Sequence, residues 1–564
     1  MSIKHSYKLL LPLICLLALS TCFVPLDYDD REAVIIIVFG DASGGSSGDG
    51  ASGGVQYSGS GQARAALVPD ALLYEVHFEG PDGRTITRTA QYDEIVHVQV
   101  VAGLWTVTVR GYLPSSPAVT RAVGEVIHHD VQPGGDNHVS IPMSAYTEVA
   151  TWAELVTAIT TGYFNEFIVV TAPITAEKAD TTINSGRPGR TITLMSRGGP
   201  FTVDFASPLL GNLLIVEADM TLILRDLTLR GNEENNASLL RINPQGSAVL
   251  QNGGRVVGNT FNIIENQTGG GGIFVDNGRL EIAGGEVSGN KVNGNNFRYV
   301  YGGGIYVVTN SVVIMSSGRI SSNIISNIGS MNIGGYGGGI AFGRKDHPDT
   351  TYDGSIFTLT GGYMESNSVN VQTSNQVNQA CGGGIFLLAS SLFFTGGYVR
   401  NNSVHGIGDA FSHTYGGGII YETHRTNTVI NNSVFIMSGG VISGNSATST
   451  NNNITSSNNP IYSVGAYGGG IYVGPPFPDN FPNHINRSFF KTGGIIYGDE
   501  EVGVGMDGQP LQNSTQSNIA GLGGGHAVFF DTGTGNSNPR RNSTSGPNDH
   551  LNSNYTDSLG GWDE

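Results

Sequence analysis

The chain has 564 residues, 83 of them glycine, and only 13% are charged, about half the share of an ordinary soluble domain. Its glycines do not recur at every third position and its apolar residues form short strand-like runs, which excludes collagen and simple disorder. With 46 acidic against 28 basic residues and a net charge of −18, nucleic acid is excluded as a partner, because phosphate binding needs clustered Lys and Arg.

In chain order, a basic stretch from Lys4 to Lys8 and an apolar run from Leu9 to Leu19 lead into Leu19-Ser20-Thr21-Cys22. This is the layout of an export signal, too short to span a bilayer. The last four residues are similar to a lipobox, although Thr21 replaces the usual small residue. Residues 1–21 are therefore expected to be removed, and Cys22 to carry a lipid as the mature N-terminus. Of the three cysteines, Cys15 and Cys22 lie here and Cys381 stands alone, so no disulfide framework is expected.

Residues 22–66 read as a linker. They hold one β-branched run, Ala33 to Phe39, and then a Gly/Ser stretch from Gly40 to Gly61. Residues 67–143 alternate as short strands, with Trp105-Thr106-Val107-Thr108-Val109-Arg110 apolar on one face only. Pro81-Asp82-Gly83 and Pro133-Gly134-Gly135-Asp136 form turns through fixed and positive φ. Six or seven such strands predict a small antiparallel β-sandwich, immunoglobulin-like or prealbumin-like.

Thr151-Trp152-Ala153-Glu154 fits a helix capping box followed by an apolar face. Beyond it, a glycine cluster followed by a strand recurs at Gly271, Gly302, Gly337, Gly382, Gly416 and Gly468, with a degenerate copy at Gly523. A second signature follows, as in Gly284-Gly285-Glu286-Val287-Ser288-Gly289-Asn290 and Gly361-Gly362-Tyr363-Met364-Glu365-Ser366-Asn367. An alternating strand lies between the two. Three short strands per repeat, each too thinly apolar to stand alone, gain stability by stacking coil on coil. The chain is thus expected to be all-β, with a right-handed parallel β-helix over residues 144–530, loops of variable length on one side, and a polar tail over 531–564. Asn290, Asn323, Asn367, Asn402 and Asn445 end the second signatures. They are expected to stack inward as a structural ladder, amide to amide.

These repeats resemble the parallel β-helix repeats of bacterial surface lipoproteins and are similar to the Gly-Gly-Ala-Ile repeats of polymorphic outer-membrane adhesins. That resemblance implies a non-enzymatic protein exported to the outer membrane or cell surface and held by its N-terminal lipid. Its implied partners are a host or matrix protein or a glycan, bound through loops on the β-helix. The rival reading is a polysaccharide lyase or glycoside hydrolase working in a groove of the helix. Such chemistry needs paired or converging carboxylates, whereas Asp276, Glu281, Glu286, Glu365 and Glu422 are scattered singly. No catalytic, metal or cofactor residue is expected.

Overall fold

The structure, a computed structural model, describes residues 32–41, 72–91, 95–133, 137–161, 165–184, 189–264, 269–330, 332–344, 354–374, 377–408, 411–422, 433–451, 463–474, 488–498, 512–517, 527–530, 540–541, 544–545 and 551–552. It divides into two compact units, Met1–Tyr146 and Thr147–Glu564. Among the described residues no helix is long and apolar enough to cross a membrane.

The first unit is a two-sheet β-sandwich. Leu73–Glu79 pairs antiparallel with Thr85–Ala90 and with Gly103–Leu113, which in turn pairs with Ser116–Val131. Alternate residues Tyr74, Val76, Phe78, Trp105, Val107 and Val109 point into one core, where they meet Val98 and Ile141 from the other sheet. Glu32–Asp41 belongs to this domain rather than to a linker: it lies between Val96–Val101, antiparallel, and His138–Val149, parallel. Sequence proximity hides this, because both of its hydrogen-bonding partners come from far along the chain.

The second unit is a parallel β-helix. In one representative coil, Ile305–Val308 joins sheet II and Val312–Ser321 joins sheet I, bending at Gly318. Ile324–Gly329 then joins sheet III and Ile333–Tyr336 joins sheet IV. Gly337-Gly338-Gly339 returns the chain to sheet II at Ile340–Phe342. Each strand pairs parallel and in register with its counterpart one coil on.

Counting the bent strand as two halves, which the next coil separates into Ile356–Leu359 and Tyr363–Glu365, a coil therefore holds two more strands than the repeats predict. The Asn/Ser/Gly-rich segments expected as loops supply sheets III and IV, because their alternate residues are small and apolar: Val292, Ile325, Val369, Val404 and Ala447 of sheet III face Val300, Ile333, Ala380 and Ala466 of sheet IV. Asn and Gly are depleted in strands generally, so the period-two pattern was masked by composition.

Three cores result. The main core stacks inward residues such as Ile273, Ile305, Ile340, Ile385, Ile419 and Ile471 against those of sheet I. The sheet III/IV core is the second. The third lies between the outer side of sheet II and sheet IV, where Tyr301 stacks on Tyr306 at 4.9 Å and Tyr336 packs on Phe386 at 5.1 Å. Cys381 replaces tyrosine in the sheet IV row, and the bulk of Phe386 beside it fills the space, while small Ala341 accompanies Tyr336. From Ile273–Asp276 onward sheet II is thus apolar on both faces, as its continuous hydrophobic runs require.

The upstream end of the main core is covered by helix α1 (Trp152–Thr161), with Trp152, Leu155, Ala158 and Ile159 buried. Its capping box forms: Glu154 Oε2 accepts from the Ala150 and Thr151 amides, and Thr151 Oγ1 accepts from the Glu154 amide at 3.3 Å. At the other end of the helix, Arg190 donates to the Ile159 and Ala158 carbonyls at 2.8 and 3.2 Å and bridges Glu166 at 3.0 Å, the two side chains being 1% and 4% exposed. Replacing Arg190 by methionine leaves a buried carboxylate and two buried carbonyls without this partner. The expected loss is about 3–5 kcal/mol, read by denaturant unfolding of the full chain.

The downstream end departs from a simple polar tail. Arg540–Arg541 pairs antiparallel with Val528–Phe530, and Leu551–Asn552 pairs antiparallel with Ser488–Ile496, burying Leu551 in the main core. These returns occupy strand edges that another chain would otherwise pair with.

Candidate binding face of the solenoid

The asparagines form a continuous buried chain. Asn323 donates its backbone amide and its Nδ2 to Asn367 Oδ1, at 3.1 and 2.9 Å, and a second Nδ2 bond to the Val287 carbonyl at 2.9 Å. Asn290, Asn367, Asn402 and Asn445 repeat the arrangement one coil apart. Asn259 continues the amide contact upstream, donating to Asn290 Oδ1, and Asn235 Nδ2 reaches Asn259 Oδ1 in turn; Asn513 ends the series. Asn513 escapes the sequence reading because a long insertion separates it from its glycine signature, and Asn235 because extra residues follow Gly231. All eight side chains are fully buried, so the ladder's chemistry is spent inside the fold. Cys22 lies outside the described residues.

The carboxylates do not converge on a metal: among the described residues, no three His, Cys, Asp or Glu side chains are placed to share an ion. Three carboxylates instead join a ladder of ion pairs on the outer side of sheet I. Arg230 grips Asp204 through two bonds of 2.7 and 2.8 Å, Arg255 meets Glu286 at 2.9 Å, and Glu365 accepts from Arg319 at 2.6 Å and Arg400 at 2.8 Å. Burial opposes the charged form of Glu286. The Ser288 hydroxyl and the guanidinium groups of Arg255 and Arg319 outweigh it and hold this carboxyl below its ordinary value. A general acid working at neutral pH needs the opposite shift.

The outer face of sheet I has two distinct ends. Upstream it carries most of the charge, with Arg225, Arg230, Arg255 and Arg279 interleaved with Asp204, Glu281 and Glu286 and with the partly exposed Met195, Ile223, Val249 and Val257 between them; the guanidinium-bearing side chains of Arg230, Arg255 and Arg279 are 58%, 46% and 45% exposed. Downstream, from Val312 to Ile495, the outward positions on one side of the bend are the apolar Val312, Ile314, Ile356, Phe393, Val434, Ile436 and Phe490 together with the polar Thr358 and Ser391. Tyr363, Tyr398, Val441 and Ile495 stand on the other. Every one of them is partly or largely exposed, Tyr398 at 39% and Ile356 at 36%. Tyr363 stacks on Tyr398 at 5.1 Å, and Arg400 lies over Tyr363 at 4.7 Å. By contrast the central outward row of sheet III is Asn293, Ser326, Asn370, His405 and Thr448, with Ile324, Ile328 and Ile407 the apolar exceptions in the rows beside it. Sheet I is thus where the solenoid displays unusual chemistry. Tyr301, Tyr336 and Tyr472 are buried in the third core.

Burial holds His405 and His413 below the ordinary imidazole value. Both are therefore more readily protonated in the unfolded chain. Their contribution to stability is complete above about pH 6.5 and declines as pH falls below it. Melting temperature is expected to drop between about pH 7.5 and about pH 5.5, and less so in a His405→Asn/His413→Asn variant.

Comparison with family models, curated proteins and solved structures found no match for this chain.

Proposed function

We propose that the chain is an exported, non-enzymatic binding protein, anchored at the cell surface through a lipid on Cys22. In this reading the β-helix is a rigid body that engages a glycan or a protein through its outer surface. The observation that carries the reading is the charged end of sheet I. Half-exposed guanidinium groups alternate there with carboxylates on successive coils, on a scaffold whose interior and corners are filled by structural ladders. Each guanidinium keeps N–H donors beyond those used in its ion pair, and such a fixed, planar donor row suits carboxylate-bearing or hydroxyl-rich partners.

Two experiments test it. Protease treatment of intact cells, paired with mass spectrometry of the mature N-terminus, is expected to show a digested solenoid and a lipidated Cys22. Protection together with an unmodified N-terminus overturns surface anchoring. Binding of the chain lacking residues 1–21 to immobilised glycans and matrix proteins is expected to weaken at least tenfold in an Arg230→Ala/Arg255→Ala/Arg279→Ala variant. Unchanged binding removes the charged end from the reading.

A further inference from the structure

We propose that the apolar downstream end of sheet I is a docking surface for a second copy of this chain. The inference begins from the contrast among outer faces. Sheet II is covered by the aromatic core, and sheet III presents a polar row to solvent. Among the described residues sheet I turns outward the larger field of aliphatic and aromatic side chains, Ile314, Phe393, Ile436 and Phe490 in one row interrupted by Thr358, with Tyr398 and Val441 beside them, against the scattered Ile324, Ile328 and Ile407 of sheet III. A contiguous exposed apolar field of this kind marks a protein contact.

Area and charge select the occupant. Five strand levels spaced about 4.8 Å apart, each about nine residues across at about 3.3 Å per residue, give roughly 700 Å² per copy. That is close to the roughly 800 Å² per partner of a standard stable interface. The chain as a whole is strongly acidic, with 46 acidic and 28 basic residues, so two copies repel over most of their surface. The apolar field is the exception. Its outward charges among the described residues are Arg319, Glu365 and Arg400, joined to one another, and they leave no unbalanced negative charge where a like chain would approach. A two-fold axis through the level of Phe393, with the solenoids antiparallel, places apolar level against apolar level. It also keeps the ion-paired upstream ends in water, where they incur no desolvation cost.

The contact requires neither the lipid nor any adhesive partner, so it stands or falls separately from surface anchoring. The test is sedimentation velocity of the chain lacking residues 1–21 over a hundredfold concentration range. The wild type is expected to sediment as a dimer, and a Phe393→Lys/Ile436→Lys variant as a monomer with unaltered circular dichroism and melting. Asn370→Lys on sheet III is expected to stay dimeric. Should the double variant fail to fold, Thr358→Arg tests the same contact, because Thr358 is already polar and outward between Ile314 and Phe393. A monomeric wild type at every concentration overturns the proposal, as does a dimer that survives Thr358→Arg or a folded double variant.

Discussion

Gly383→Val is expected to prevent the chain from folding to a soluble product. The middle glycine of its cluster lies against the next coil: a Cβ there would sit 2.3 Å from the Gly417 carbonyl oxygen and 2.6 Å from the Ser403 amide. Both neighbours are backbone, so neither can rotate away. Gly384 and Ile385 donate to the Gly418 carbonyl at 3.0 and 2.9 Å, which fixes the separation of the coils at this corner. Making room for a side chain means parting those bonds and the stacked Ile385–Ile419 pair beneath them. The loss is expected at or beyond about 4 kcal/mol, the range reserved for severe core defects. Expression followed by separation of soluble from insoluble protein reads it. Gly382→Ala is a useful companion, since Gly382 has φ +64° and a Cβ would stand 2.4 Å from the Ile385 carbonyl oxygen. Strain and clash act together there.

Asn367→Ala is expected to be the next most damaging single change. The side chain accepts two bonds from Asn323 and donates to Asn402 Oδ1 and the Ile320 carbonyl, wholly out of water. Alanine leaves the Asn323 amide and the Ile320 carbonyl without these partners inside the fold. Each buried polar group stranded in this way costs about 1–3 kcal/mol, so for the two groups a loss of about 2–6 kcal/mol is expected from equilibrium unfolding. Asn367→Asp separates chemistry from shape: the carboxylate can still accept from Asn323, but it places a charge where Asn402 Oδ1 and the Ile320 carbonyl need a donor. If either variant unfolds like the wild type, the ladder carries no weight.

Periodicity marked the β-helix in advance. The glycine clusters, the isoleucines that follow them and the asparagines that close the second signature recur in fixed local order, and each states a backbone requirement that its own segment meets: a corner where only glycine fits, a strand start, a turn with an inward amide. The capping box of helix α1 is local in the same sense. Asn235 and Asn513 hold the same position in space but lost the sequence spacing to insertions.

Other features depended on what the chain folds against. The run Ala33 to Phe39 gave no sign of its two distant partners, and Arg540–Arg541 and Leu551–Asn552 gave no sign of the strand edges they return to. The net charge of −18 likewise concealed a face where arginine balances carboxylate. An outward valine at position 312 or phenylalanine at position 393 reads, along the chain, like any alternating strand residue. Only stacking places them side by side on sheet I. Hydrogen-bond periodicity is a short-range property and is written in the sequence, whereas which outer faces are covered, and by what charge, is settled by contacts between residues tens to hundreds of positions apart.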